Sequence, residues 1–371
     1  MEIEKGAKWV KFDYMRDFMR DVLLGLGTPK KDAEVSAEVL ITADKLGFDS
    51  HGISRLKPIY YDRIKQGIQR PVTAFRIVKE TPACAVIDGG NGMGHVVGHR
   101  AMGMAIDKAK KYGIAMTAVR NSTHYGMAGY YPLMAVKAGM IGITGTNARP
   151  SLAPTFGIEN MLGTNPLTFG MPTDEAFPFL LDCATSITQR GKIEVYAKLN
   201  KKMPAGWVID RDGRSKTDPR KVLVDLTQGT AALVPLGGIG EELGGYKGYG
   251  YATAVEILCS ALQKGAYMKM LSGVKNGKKI PYPLGHFFIA INISAFTELR
   301  SFKRIAGSIL RELRASKKMP GARRIFTAGE KEHETWLERR QKGVPVNKET
   351  QQEILAMRDE LGLDRYKFPF H

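Results

Sequence analysis

The sequence predicts an α/β fold built on a partly parallel sheet. Three observations carry that reading. Helical and strand-like runs alternate through the first 150 residues, as in FRIVKE, ACAVIDGG, HRAMGMAIDKAKKYG and GIAMTAVRN. Several strand-like runs, such as MIGITGTNA and GHFFIAINI, are apolar throughout rather than alternating, which marks strands covered on both faces. The composition, 43% apolar and 25% charged over 371 residues, is that of a globular chain of two or three domains.

Taken in order, the first sixty residues read as helices. Thr28-Pro29 predicts an N-cap followed by proline at the first helical position, opening a run whose Val35, Ala37, Val39, Leu40 and Ala43 form an apolar stripe. ISRLKPIYYDRIKQG predicts a second helix capped near Gly67, before the breaker Arg70-Pro71. Strands, the helix HRAMGMAIDKAKKYG and the helix GYYPLMAVKAG follow. Residues 150–250 are rich in Gly and Pro, a loop density that usually serves function, and include the strand-like FPFLLDCATS. YGYATAVEILCSALQKGAY predicts a buried helix, GHFFIAINI a core strand, and KETQQEILAMRDELGL the clearest helix of a charged tail.

The net charge is +18, and its densest stretch runs from Arg300 to Arg324 with Glu312 alone opposing it. There Leu299, Phe302, Ile305, Ala306, Ile309, Leu310 and Leu313 recur at helical spacing, so the basic residues form the outer face of an amphipathic helix. A solvated helix face is the plainer reading of this pattern, and steering of anionic ligands is the functional one. A nucleic-acid groove lacks support, since no zinc-finger spacing or aromatic RNA-binding strand accompanies the charge. Three cysteines, Cys84, Cys183 and Cys259, cannot build a disulfide framework. The start lacks a leader's apolar core and no segment is long enough to span a membrane, so a cytoplasmic location is expected. No His, Cys, Asp or Glu pair has metal-ligand spacing; Glu330, Glu332, His333 and Glu334 read as a solvated cluster.

Residues 88–98, DGGNGMGHVVG, follow a strand, precede a helix and carry a GxGxxxG spacing, as a dinucleotide-binding turn does. The acidic residue that would end the next strand is missing, so a structural turn explains the glycines equally well. Histidine is more informative. His51, in DSHGISR, closes an amphipathic run, and Arg55 lies one helical turn beyond it. A proton carrier near a planar cation suits reduction of a carbonyl beside a carboxylate, while a helix cap with a surface arginine is the plainer alternative. His124 follows GIAMTAVR, at the carboxyl end of a strand, where open α/β sheets place ligands; a buried core histidine is the alternative there. Asp182 ends FPFLLD, in reach of orienting a histidine. Thr164 lies in the turn GTNP, and Lys247 sits among glycines before a helix, a setting that suits an anionic group. A Ser50-His51-Asp182 hydrolase is disfavoured, because no nucleophile elbow surrounds Ser50.

The segments SHGISRLKPIYYDRIKQG, RNSTHYGMAGYY, GTNPLTFGMPT with LLDCATS, GGYKGYG and FTAGEKE occur in this order over residues 10–365. Together they resemble the malate/L-lactate/sulfolactate dehydrogenase family, NAD(P)-dependent enzymes unrelated to the Rossmann-fold dehydrogenases, with the malate branch nearest. The resemblance implies a family-specific, non-Rossmann mixed-sheet α/β fold with a helical part built from both chain termini. It implies three parts: residues 1–66 with 315–371 on the substrate side, 67–130 with 285–314 for dimerisation, and 131–284 for NAD(P). His51 matches the family's proton donor, with Ser50 and Asp182 as relay partners in some members; other members assign the base to the position of His124. Arg55, with Thr164, would bind the substrate, Arg55 through its carboxylate. Cofactor contacts would fall on Asp182, Cys183, Ala184, Lys247, Ala148, Gly329 and Glu330. Arg149 stands where the ureidoglycolate branch has aspartate, which argues against that substrate. The expectation is a homodimeric oxidoreductase moving hydride between NAD or NADP and a small 2-hydroxy or 2-oxo acid, malate first. Lactate, sulfolactate and a cyclic imino acid (piperideine-2-carboxylate) are the alternatives, and a basic anion- or nucleic-acid-binding protein on an inactive scaffold is the distant one.

Overall fold

The computed structural model describes residues 6–370; Met1–Lys5, where the leader reading begins, and His371 lie outside the described residues. The chain opens with β1 (Lys8–Val10), α1 (Phe12–Gly25) and α2 (Lys30–Lys45). A helical stretch, Ile53–Lys65, ends in α3 (Asp62–Lys65). Then come β2 (Arg76–Glu80), β3 (Cys84–Asp88), α4 (Gly94–Tyr112), β4 (Ile114–Ser122), α5 (Tyr130–Lys137) and β5 (Met140–Thr146). The Gly/Pro-rich middle holds β6 (Leu167–Met171), β7 (Phe179–Cys183), α6 (Arg190–Lys198), β8 (Val208–Ile209), α7 (Pro219–Gln228) and β9 (Ala232–Leu233). The last part contains α8 (Gly245–Ser260), the β10–β11 hairpin (Val274–Lys275, Lys278–Lys279), β12 (Leu284–Asn292), α9 (Leu299–Ala315), α10 (Glu330–Lys342), β13 (Val344–Val346) and α11 (Lys348–Glu360).

The central sheet has seven strands in the order β2-β3-β4-β12-β5-β6-β7. β3 and β4 pair in parallel, and the remaining neighbours pair antiparallel. Thus β12 returns from far along the chain to separate β4 from β5. Its Phe288 and Ala290 pack under α4 and α5, while Phe287 faces Val255 and Cys259 of α8 on the opposite side. Burial on both faces is the reason FFIAI is apolar without a break.

A second core joins the chain ends. Val10, Phe18 and Leu23 pack with Leu40 and Tyr60, and with Val346, Ile354 and Met357. The C-terminal Tyr366 and Phe368 meet the Phe18 ring edge-on at 5.2 and 5.1 Å. β1 pairs with β13, which seals this helical part.

Several expectations need correction. Pro29, not Thr28, is the N-cap of α2, and the Thr28 hydroxyl is buried without a hydrogen-bond partner. The expected single helix over ISRLKPIYYDRIKQG is a 3₁₀ turn, a π turn over Leu56–Tyr61 and then α3. Pro58 lies inside the π turn and has no N–H to continue an α ladder. α8 is buried on one face only: Tyr246, Tyr251 and Ile257 stay exposed. In α9, Ile305, Ile309 and Leu313 are more than half exposed while Leu310 is buried, so only one side of its apolar stripe packs inward and the other faces outward. Residues outside this stretch also offset its charge, since Arg311 pairs with Asp174 at 2.9 Å and Arg314 with Glu175 at 2.7 Å. Glu330 is no solvated residue: its side chain is 12% exposed and paired to Arg324.

The glycines at 92–98 are explained by packing. A Cβ on Gly94 would lie 2.3 Å from the Thr123 carbonyl oxygen and 2.4 Å from that of His124. One on Gly92 would lie 2.7 Å from the Thr73 Cα. α4 therefore starts in backbone contact with the chain just beyond β4, and no phosphate-sized space remains beside Gly94. Gly94→Ala should destabilise the fold by about 1–3 kcal/mol through overpacking. Gly103→Ala, where nothing lies within 4 Å, should be neutral or stabilising by up to about 1 kcal/mol. Denaturant titration of both variants checks the pair, and equal stabilities would contradict it.

Candidate active site

A cavity of about 210 Å³ opens at the edge of the sheet where β4, β5 and β7 end and β12 begins. Ser50, His51, His124, Ala148, Thr164, Asp182 and Ala184 line it, together with Phe48, Tyr125, Asn147, Gln189 and Leu284 among others. A larger groove of about 790 Å³, beside Arg20, Asp21 and Arg365, contains none of the groups singled out in the sequence.

His51 is carried on a loop that the helical part clamps. After α2, Phe48 N–H donates to the Ala43 carbonyl and His51 N–H to that of Phe48. Asp44 is buried, and its carboxylate accepts from the Ile53 amide at 2.9 Å. A Cβ on Gly52 would fall 1.9 Å from Asp44 Oδ1, so this crossing requires glycine. Arg339 of α10 donates to the Asp44 carbonyl at 2.6 Å and grips Asp49 with two bonds at 2.5 and 2.9 Å. Desolvation and the nearby Asp49 push the Asp44 carboxyl well above the usual range.

The Ser50 hydroxyl bonds His51 Nδ1 at 2.8 Å, and the Arg55 Nε donates to the Ser50 carbonyl at 2.5 Å. Arg55 does not line the cavity; its Nη2 lies 3.7 Å from where a Cβ on Gly191 would sit, close to the Gln189 rim. The rings of His51 and His124 stack nearly parallel, 5.7 Å apart. Behind His124 stands a buried network that the sequence reading missed. Tyr60 Oη lies 2.6 Å from His124 Nδ1 and 2.8 Å from His95 Nε2. His95 was hidden among the glycines of 88–98, and a histidine directly after a glycine at a helix start was the only available signal.

Asp182 lies at the cavity but bonds elsewhere. Its carboxylate accepts from the Gly129 amide at 2.6 Å, at the N-terminus of α5, and from Thr168 Oγ1 at 3.4 Å. Burial raises its pKa to about 6, against these two bonds. No hydrogen bond joins it to His51 among the described residues, so Ser50 is the side-chain partner of His51. Cys183, between Asp182 and Ala184, does not line the cavity, and burial raises its thiol pKa.

Three more expected positions lie outside the cavity. Gly329 is the N-cap of α10 and packs against the Pro178 carbonyl beside β7, where Leu180 N–H reaches Ala328 O at 3.4 Å. Glu330 caps the turn by accepting from the Thr327 amide at 3.0 Å. Lys247 is exposed in the first turn of α8, its ammonium 5.7 Å from the Tyr246 ring centre. The glycines around it are demanded by two backbones in contact. A Cβ on Gly245 would meet Gly238 O at 2.1 Å, and one on Gly248 would meet Leu236 O at 2.3 Å. This knot hangs on the cavity rim, because Leu236 N–H donates to the Thr185 carbonyl, one residue past Ala184.

Burial holds His51 down at about 4, with the Arg55 charge adding to the effect, and holds His95 and His286 at about 3; His124 is also pushed well down. The folded chain therefore binds fewer protons than the unfolded one between about pH 4 and 6.5. The resulting stability is complete above about 6.5 and is lost as pH falls through the folded values. Asp182, raised to about 6, Glu353, raised to about 7, and the buried Asp44 and Glu256 carboxyls, also raised, have the opposite sign and lose stability as pH rises through the same window. Removing one buried neutral histidine isolates its part: in His286→Gln the unfolding midpoint should fall less, or rise more, between pH 6.5 and 4 than in the unaltered protein, and an unchanged pH dependence would contradict the burial of that neutral ring.

Residues 10–355 match the family described as malate/L-lactate dehydrogenase. The chain is 43% identical over 351 residues to a malate dehydrogenase of Pyrococcus abyssi, covering 95% of this chain and 94% of the relative. It is 39% identical over 344 residues to an L-sulfolactate dehydrogenase of Methanocaldococcus jannaschii, covering 93% and 94%. The crystal structure of malate dehydrogenase from Entamoeba histolytica superposes with a TM-score of 0.94 at 44% identity, over 98% of this chain and 100% of that one. The chain thus belongs to the malate/L-lactate dehydrogenase family, and is a dehydrogenase that works with a nicotinamide cofactor.

Proposed function

We propose that the protein interconverts a small 2-hydroxy acid and its 2-oxo acid, with malate and oxaloacetate as the pair and NAD or NADP as the cofactor. The observation that carries this is one small cavity holding a serine-bonded His51 and a second histidine, with the Arg55 guanidinium beside it. Relatives named malate dehydrogenase, at 43–44% identity, favour malate over sulfolactate.

The residues present fit a nicotinamide. At about 210 Å³ the cavity is smaller than the roughly 300–1,000 Å³ of sites that enclose whole ligands, so it takes the reacting ring and a small acid. The remainder of a dinucleotide would run over the small side chains of Ala148, Thr164 and Ala184 toward the Lys247 turn. When bound, a nicotinamide would supply the chemistry of taking up or giving the hydride exchanged at C2 of the acid. Everything else falls to the chain. Neutral His51 takes the hydroxyl proton during oxidation and returns it during reduction. An oxo acid seated against Arg55 offsets the positive charge beside His51, which raises its proton affinity when a proton is needed. His124 faces the same oxygen, and Asp182 anchors α5 under the site.

The resemblance-based division into three parts is proposed with the function, the helical part carrying His51 and Arg55 and residues 131–284 carrying the cofactor. We also propose a homodimer, supported by the outward apolar stripe of α9 with Phe296, which is 68% exposed. No described helix is long and apolar enough to cross a membrane, and a cytoplasmic location belongs to the same proposal.

A spectrophotometric panel of oxaloacetate, pyruvate, sulfopyruvate and piperideine-2-carboxylate, each with NADH and NADPH, tests the reading. Oxaloacetate should be reduced fastest, and inertness toward all four would overturn the proposal. In the same assay Arg55→Lys should raise KM for each accepted oxo acid, because an ammonium cannot form the paired bonds of a guanidinium. Unchanged kinetics in that variant would remove Arg55 from the site. Lys247→Ala should weaken NAD(P)H binding roughly ten- to a hundredfold, the loss of a charge-assisted bond worth about 1.5–3 kcal/mol. Fluorescence titration measures it, and full-strength binding would place the diphosphate elsewhere.

A further inference from the structure

Tyr60 has one hydroxyl proton and two histidine nitrogens within bonding distance, so it donates to one and accepts from the other. Two separate contacts decide which. The Gly126 amide N–H points at His124 Nδ1 at 3.3 Å. An amide only donates, so that nitrogen carries a lone pair and no hydrogen. The second contact is a missing one: His95 Nδ1 is buried with no partner. An unpaired acceptor is tolerated in protein interiors more readily than an unpaired donor. Both point the same way: His95 Nε2–H donates to Tyr60, and Tyr60 O–H donates to His124 Nδ1. The reverse polarity would set the Gly126 amide against an N–H and leave a second N–H buried at His95.

We propose that Tyr60 and His95 are positioning residues that lock His124 in its Nε2–H tautomer, making it a hydrogen-bond donor to the C2 oxygen of the substrate and leaving proton exchange to His51. With Nδ1 turned to Tyr60, the ring edge that His124 presents to the cavity carries Nε2. A neutral imidazole already protonated there cannot accept the hydroxyl proton during oxidation. The relay behind it offers no outlet, because it ends at a buried His95 nitrogen without a partner. His51 differs, since its Nδ1 partner is a serine hydroxyl, which donates or accepts with equal ease. His51 can therefore exchange tautomers and protons while His124 cannot. Tyr60 reaches this position from the π turn, and Gly94 admits α4 closely enough for His95 to meet it.

The inference rests on the proposed reaction at this cavity, but its first test does not use activity. In the full-length protein labelled with ¹⁵N-histidine, the His124 resonances, assigned by their loss in His124→Gln, should show a protonated Nε2 and an unprotonated Nδ1. A protonated Nδ1 overturns the proposal whatever the enzyme reduces. Tyr60→Phe removes the closer donor and leaves only the Gly126 amide, at 3.3 Å, on His124 Nδ1, so it should shift the His124 Nδ1 resonance and lower kcat roughly ten- to a hundredfold, with KM for the oxo acid nearly unchanged. An unaltered His124 signal or an unaltered kcat in folded Tyr60→Phe also overturns it. If Tyr60→Phe fails to fold, the wild-type spectrum decides alone. Failure of the dehydrogenase reading shows differently, as no turnover in the wild type with any oxo acid while the tautomer result stands.

Discussion

The position of β12 between β4 and β5 governs the rest of the molecule. Both of those strands pair antiparallel with it, so they run in the same direction and end on the same edge of the sheet, where β12 begins. β7, two antiparallel pairings beyond β5, ends there too. His124, Asn147 with Ala148, Leu284 and the pair Asp182 and Ala184 all converge on one cavity for that reason. A seven-strand sheet with one late strand at its centre gathers residues that lie up to 160 positions apart without a Rossmann crossover.

The sheet supplies one wall and the helical part supplies the other. Ser50 and His51 would have no defined place without Asp44 beneath their loop and Arg339 across it. Arg339 arrives from the far end of the chain, so the two termini are tied together by polar as well as apolar contacts. Its cost is the burial of charge. Such a cluster contributes little net stability compared with an apolar one, but it breaks sharply when one member is lost, which suits a loop that must hold a single geometry.

The polar groups at the cavity are also distributed unevenly. Serine beside His51 leaves that ring free to change protonation, whereas Tyr60, His95 and the Gly126 amide restrain His124. Asp182, which looked like an orienting carboxylate, spends its bonds on Gly129 and Thr168. A carboxylate at the start of α5 is favourable electrostatically and fixes the segment that follows His124.

Much was legible in the residues alone. Apolar periodicity placed β3, α4, β4, α5, β5 and β12, because those elements bury a face whose pattern is local. The family resemblance pointed to Ser50, His51, His124, Thr164, Ala148, Asp182 and Ala184, and the structure gathers these seven around one cavity. Local pattern could not reveal the strand order, since pairing of β12 with β4 and β5 depends on backbone groups that every sequence shares. It also misread α9, whose apolar stripe signals a helix but not what covers that stripe. Tyr60 and His95 stayed hidden for a related reason: an isolated tyrosine and histidine 35 positions apart carry no spacing signal. Only the close approach of α4 at Gly94, a steric matter between two backbones, brings them into one hydrogen-bonded line behind His124.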